Sequence, residues 1–221
     1  MIIFTNENRS YPIRELIDNV PGVTYRSGPK GWMDKCILPE FFSDPRAYQS
    51  DPHGQQKIVW LDNCSGHTMT PRLEAVLTSK HTKFCYLPPC STHLCQPADT
   101  FIISKIKDSW TRRWEAKKTE LIQANAWQDQ ARVDGQWSGK LIYPGKRFFL
   151  ELAALCIDDV NREVDPDNIS YARKAMIRCG LALGLDGSWN VTQLFPHLQE
   201  IIAKHLQYFQ GQDVPPFVRA P

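Results

Sequence analysis

Two carboxylates stand where strand-like runs give way to turns, and their setting suggests metal-assisted chemistry. Asp62 closes the apolar run Ile58-Val59-Trp60-Leu61, and Asp99 follows a second β-prone run, Phe84 to Leu87, after a polar turn. If the two runs lie side by side, the carboxylates converge. A converging pair invites a hard cation with oxygen ligands, and Mg²⁺ suits a substrate that supplies phosphate oxygens. Two such ions hold the attacking and leaving oxygens of an in-line phosphoryl displacement, so the implied substrate is a phosphodiester. Each residue also has a plainer reading. Asp62 beside Asn63 fits a strand-end turn, Asp99 fits an acid at a helix start, and His67 alone fits a turn histidine.

The elements that must position these residues follow from apolar spacing and from turn residues. Lys57–Asp62 is expected as a strand buried on both faces, because its apolar residues are consecutive, with Asp62 at the carboxyl end where open α/β sheets bind ligands. Thr70 is placed to cap a helix that begins at Pro71 and carries Leu73, Val76 and Leu77 on one stripe. Pro88-Pro89 stops the next strand. Pro97 opens a long helix with Asp99 in its first turn and Ile102, Ile106, Trp110 and Trp114 at four-residue intervals, the tryptophans facing the core. Upstream, Met1–Thr5 and Val23–Tyr25 are expected as strands. Ile13, Leu16, Ile17 and Val20 have helical spacing over 12–20, Ile37 to Phe42 forms a helix with Pro39 in its first turn, and 43–56 is a loop. Downstream, glycines and prolines mark 125–146 as a linker or surface excursion. Helices are expected from Arg147, over 168–183 and over 194–209, ahead of a loose tail at 210–221.

Composition sets outer limits. A chain of 221 residues, 42% of them hydrophobic, can bury one sizeable core. The formal charge is only +2, so contact with nucleic acid must come from local patches. One such patch lies on the long helix, where Lys105, Lys107, Arg112, Arg113, Lys117 and Lys118 face only Asp108 and Glu115. A stripe of this kind neutralises phosphates in a salt-dependent way, or is simply solvated. No apolar run approaches the ~20 residues of a membrane helix, and no secretory signal is evident, so a soluble intracellular chain is expected and the N-x-S/T triplets at Asn63, Asn168 and Asn190 carry no weight. Seven cysteines without framework spacing fit reduced thiols. Cys85, Cys90, His93 and Cys95 lie close together, with Cys64 and His67 not far away, but their spacing is not that of a structural zinc module.

The ordered segments Leu61-Asp62-Asn63-Cys64-Ser65-Gly66-His67 and Tyr86-Leu87-Pro88-Pro89-Cys90-Ser91-Thr92-His93-Leu94-Cys95-Gln96-Pro97-Ala98-Asp99, with Ile106-Lys107 and Trp110 to Trp114 behind them, resemble the catalytic core of DDE transposases, in particular the pogo and jerky-like branch. Weaker resemblance extends from Gly31-Trp32-Met33 to Cys179-Gly180-Leu181. The resemblance implies an RNase H-like α/β fold and DNA strand cleavage and joining that depends on Mg²⁺ or Mn²⁺. It makes Asp62 and Asp99 the second and third catalytic carboxylates and metal ligands, with Asn63 and His67 as supporting groups. DNA is the implied partner and the nucleus the implied location, and Lys105, Lys107, Arg112, Arg113 and Lys117 are candidate contacts.

The departure from the family pattern shapes the remaining expectations. In these transposases the first carboxylate lies on the first strand, whereas Met1 to Asn8 resembles the third strand and its turn. No Asp precedes Asp18, and Glu7, Asp18 and Asp34 stand in the wrong context. The sequence therefore predicts a partial core over 1–124 without its first two strands, a helical region over 147–209, a site that holds at most one ion weakly, and little or no cleavage by the chain alone. Exposed sheet edges call for a second chain to complete them. The competing reading is a non-catalytic remnant of a transposon that binds DNA or protein.

Overall fold

Parallel strands cannot be joined by a hairpin, so each pair here is separated by a crossover. In the computed structural model, which describes residues 1–128 and 139–208, β1 (Ile2–Thr5) pairs in parallel with β2 (Tyr25–Gly28), and β3 (Lys57–Leu61) with β4 (Thr82–Tyr86). Among the described residues these are two separate two-stranded sheets. The helices are α1 (Ile37–Ser43), α2 (Pro71–Ser79), the short α3 (Thr92–Cys95), α4 (Ile103–Gln123), α5 (Lys146–Arg162), α6 (Tyr171–Arg178) and α7 (Pro196–Lys204). The architecture is mixed α/β, and no described helix is long and apolar enough to cross a membrane.

Each sheet is sealed by its own cluster. Leu38 and Phe42 of α1 and Leu73 and Leu77 of α2 pack with Val59 and Phe84 from one face of β3–β4. The other face is open, and Ile58 is 53% exposed. The expectation of a strand buried on both faces is therefore corrected: with a single neighbouring strand and helices on one side only, every second residue of the apolar run faces outward. The predicted cap holds, with the Thr70 hydroxyl accepting from the Leu73 N–H at 3.2 Å.

Around β1–β2, Leu16, Val20, Val23, Tyr25 and Leu150 form the second cluster, so α5 packs on the first strands of the chain. Residues 12–20 are not helical. The Tyr25 hydroxyl accepts from the Ile13 N–H at 2.9 Å and donates to the Leu16 carbonyl at 2.7 Å, and Glu15 has a φ of 63°. The helical spacing of Ile13, Leu16 and Val20 is met by a chain that winds around one buried phenol. Two later helices are shorter than expected: Ser170 caps α6 through the Arg173 N–H, and α7 begins at Pro196. Residues 129–138 of the linker at 125–146, the end of the last helix at 209 and the tail at 210–221 lie outside the described residues. Residues 126–128 and 140–142 are bridged in antiparallel fashion by Gln128 N–H to Lys140 O and Ile142 N–H to Ala126 O.

A buried ionic network ties α1 and its following loop to β2. Arg26 donates to Glu40 at 2.7 Å and to Asp44 at 3.2 Å, while Arg46 reaches Asp18 at 2.8 Å and Asp44 at 3.0 Å. Burial pushes the Asp44 carboxyl up, but hydrogen bonds and charge from Arg46 outweigh it and hold the group well below the usual carboxylate range. Removing one member leaves a buried charge unpaired. Arg26→Ala should destabilise the protein by about 3–5 kcal/mol in urea unfolding. Arg147→Ala, which breaks the exposed i,i+4 pair with Glu151 and an exposed hydrogen bond to Asn19, should cost only about 1 kcal/mol or less.

Candidate functional site

β3 ends at Leu61, and the Leu87 N–H donates to the Leu61 carbonyl at 2.8 Å, so the carboxyl ends of β3 and β4 leave the sheet together. Asn63 closes this junction by donating from Nδ2 to the Leu87 carbonyl at 2.7 Å. Between them lies Asp62. The chain then turns through a single 3₁₀ turn, Ser65–His67, which returns the imidazole to the carboxylate: His67 Nδ1 lies 2.7 Å from Asp62 Oδ1. The hydroxyl of Tyr86, the last residue of β4, donates to the His67 carbonyl at 2.9 Å. A Cβ on Gly66 would fall 2.6 Å from the Met33 carbonyl oxygen, so only glycine lets this turn seat against the loop before α1.

Asp62, Cys64 and His67 thereby present a carboxylate oxygen, a thiol and an imidazole nitrogen, all within 4.8 Å of one another. Asp62 and His67 are partly buried and Cys64 is exposed. Sequence reading selected Asp62, Asn63 and His67, and set Cys64 aside with the other cysteines. The thiol's place depends on the turn geometry, which brings residues 62, 64 and 67 to one point.

Asp99 takes a different position. It is exposed on a five-residue π turn, Ala98–Ile102, that leads into α4, with Pro97 preceding that turn as expected. It lies outside the Asp62 cluster and lines a separate open cavity of about 640 Å³ with Cys90, Thr92, His93 and His197. Among the described residues no hydrogen bond or ion pair engages its carboxylate. His197 comes from α7, and nothing in its local sequence points to this cavity. Cys85, Cys90, His93 and Cys95 form no ligand cluster among the described residues, and all seven cysteines are free thiols.

The cations of α4 turn largely toward the protein. Lys105 pairs with Glu163 at 2.6 Å, Arg113 donates twice to Asp159, and Lys117 pairs with Glu120 at 2.6 Å. Arg112 is only 3.8 Å from Asp159 and remains mostly exposed, and Lys107 is exposed without a described ion pair. Trp110 and Trp114 pack on Phe149 of α5, as their spacing suggested. A second cationic surface went unnoticed in the sequence because its residues are scattered. Arg9, Lys30 and Lys35 line a cavity of about 420 Å³ with Trp32, Asp34, Ser65 and Gly66, and Trp32 is 74% exposed. This cavity shares the turn that carries His67.

A family model described as DDE superfamily endonuclease matches residues 1–172, from β1 into α6 and across both Asp62 and Asp99. The chain belongs to that family. DDE superfamily endonucleases are DNA-directed and generally use divalent metals. No solved structure matches the chain.

Two outcomes test this geometry. Gly66→Ala should cost about 1–3 kcal/mol, measured by thermal or urea unfolding, because the Met33 carbonyl cannot be moved as a side chain can. The second concerns α4. Hydrogen bonds from Arg113 and Ser109 hold the Asp159 carboxyl down to about 2. A depressed folded-state value means that the ionised group stabilises α4 on α5 fully above its unfolded value of about 3.9, and that this contribution is lost as pH falls toward 2. Trp110 and Trp114 fluorescence should report loosening between about pH 4 and 2. Asp159→Asn should remove that step.

Proposed function

We propose that this chain carries a metal-dependent, DNA-directed phosphodiester site of the DDE type, in which Asp62 and Asp99 are the metal-binding and catalytic carboxylates and Asn63 and His67 are supporting residues. The observation that carries this reading is the junction at the carboxyl ends of β3 and β4, where Asn63 ties the Asp62 turn to the segment leading to Asp99. The residues fit a divalent ion in type. Each carboxylate keeps at least one oxygen without a described partner, and Mg²⁺ or Mn²⁺ is commonly held by one or two carboxylates together with substrate phosphates. When bound, such an ion neutralises charge at the scissile phosphate and makes water a better nucleophile. His67 fixes the Asp62 carboxylate through Nδ1, and Asn63 fixes the backbone beneath it. Lys107 and Arg112 on α4, with Lys30 and Lys35 beside the Ser65–Gly66 turn, supply phosphate contacts; Lys105, Arg113 and Lys117, and Arg9 beside the same turn, contribute by reorganising their internal pairs.

The site lacks a third carboxylate among the described residues near Asp62. Asp18 and Asp44 are committed to the arginine network, and Asp34 caps α1 and pairs with Arg9 at 2.8 Å. We infer that the chain alone binds DNA and an ion but cleaves weakly or not at all. A second chain that adds strands to the open edges, in an RNase H-like sheet of the pogo and jerky-like kind, would complete both sheet and site. The nucleus is the proposed place of action.

The test is DNA binding by fluorescence anisotropy across a salt series, with and without Mn²⁺. Affinity should fall linearly on a log–log plot of salt, as phosphate contacts require, and Mn²⁺ should strengthen binding. Asp62→Asn or Asp99→Asn should remove the Mn²⁺ increment while keeping the salt slope. Equal binding with and without Mn²⁺ in the unmodified chain would instead favour the non-catalytic binding remnant.

A further inference from the structure

The donor set around Asp62 is not the one a hard cation selects. Within 4.8 Å it combines one carboxylate oxygen with a thiol and an imidazole, whereas Mg²⁺ takes oxygen ligands. Mixed S, N and O donors, three from the protein with one position left open, are the pattern of a reactive zinc site rather than a structural one. We propose that Asp62, Cys64 and His67 form a binding site for Zn²⁺, distinct in chemistry from the hard-metal site that Asp62 shares with Asp99.

The turn holds the three donors together before any ion arrives. Gly66 is seated against the Met33 carbonyl, the Tyr86 hydroxyl holds the His67 carbonyl, and Asn63 is tied to Leu87. Preformed ligands lower the ordering cost of binding. The 2.7 Å separation of His67 Nδ1 and Asp62 Oδ1 marks a shared hydrogen. Two ligands at the usual Zn–N and Zn–O lengths of ~2.0–2.1 Å around a tetrahedral ion lie about 3.3 Å apart, so the pair, now 2.7 Å apart, need open only by about 0.6 Å. Binding needs Nδ1 free: its hydrogen passes to solvent while Nε2 takes one up, leaving the neutral Nε2–H imidazole, and the proton of the Cys64 thiol is released to solvent. Cys64 is exposed, so the ion has a direct path in.

The consequence rests on the function proposed above. An Asp62 carboxylate bound to Zn²⁺ beside a thiolate is withdrawn from the hard-metal site, so Zn²⁺ acts as an antagonist of Mg²⁺ or Mn²⁺ at the same residue.

The experiment uses the full chain with Co²⁺ as the spectroscopic probe and no DNA. One equivalent of Co²⁺ should give a thiolate-to-metal charge-transfer band in the near ultraviolet and visible absorption of tetrahedral strength. Zn²⁺ should bleach both stoichiometrically, and Mg²⁺ in large excess should not. Cys64→Ser should abolish the charge-transfer band, and His67→Ala and Asp62→Asn should weaken Co²⁺ binding by about tenfold or more. Cys90→Ser, in the neighbouring cavity, should change neither, and far-ultraviolet circular dichroism verifies that each variant is folded. A band that survives in folded Cys64→Ser, or no band at all, overturns the zinc site and leaves the DNA reading untouched. The regulatory part is read separately. Zn²⁺ should cancel the Mn²⁺ increment in DNA affinity in the unmodified chain but not in Cys64→Ser. An increment that persists under Zn²⁺ while the cobalt band is present overturns the antagonism, and an increment that never occurs counts against the hard-metal reading instead.

Discussion

The parallel register of Lys57–Leu61 on Thr82–Tyr86 is the constraint from which the site follows. A parallel pair requires a crossover, and α2 supplies it, so both strands run the same way and both release the chain at the same edge. Asp62 and Leu87 emerge there side by side, and the Asn63 amide needs only to reach across one strand spacing to bond the Leu87 carbonyl. The cluster of Leu38, Phe42, Leu73 and Leu77 keeps this register, because a slip of one residue would turn Val59 and Phe84 away from it. The geometry of the candidate site and core packing are in this sense one choice of register.

Charge is used inward more than outward. Arg26 and Arg46 are spent on Asp18, Glu40 and Asp44, and Lys105 and Arg113 on Glu163 and Asp159. In a chain with a formal charge of only +2, cations paired in this way are held back from phosphate. Among the less committed cations, Lys107 and Arg112 on α4 and Lys30 and Lys35 around Trp32 form local patches. Short-range, salt-sensitive contact follows, without the long-range steering that a strongly basic domain provides.

Much of the site was legible in the sequence because its signals are local. The apolar run before Asp62, Thr70-Pro71 before a helical stripe, and Pro97 before the tryptophan-bearing helix each act over a few residues, and each produced the expected element. What escaped was set by contacts distant in sequence. Ile13, Leu16 and Val20 have helical spacing, yet the Tyr25 hydroxyl claims the backbone groups that a helix would need. Consecutive apolar residues in β3 suggested a strand buried on both faces, but burial depends on how many layers pack, which spacing does not encode. The inward pairing of Lys105 and Arg113 required knowing that α5 lies against α4. Cys64 joined the site only once the Ser65–His67 turn had a shape.

Asp62 and Asp99 are held by different parts of the molecule, and this bears on how the site works. Asp62 is fixed by β3, β4 and the turn seated on Met33. Asp99 is fixed by the π turn, which is clamped from the other side: Phe101 packs on Tyr171 and Phe195, and the Thr100 hydroxyl lies 3.7 Å from the Cys179 thiol. Turns of this wide type interrupt helices at functional positions more often than elsewhere, because they re-aim a side chain without ending the helix. The separation of the two carboxylates therefore depends on how α6 and Phe195, which hold the π turn, sit relative to the β3–β4 unit that holds Asp62. A ligand that engages both carboxylates binds the docked arrangement in preference to a loosened one, and by linkage it stabilises that docking by its own binding free energy.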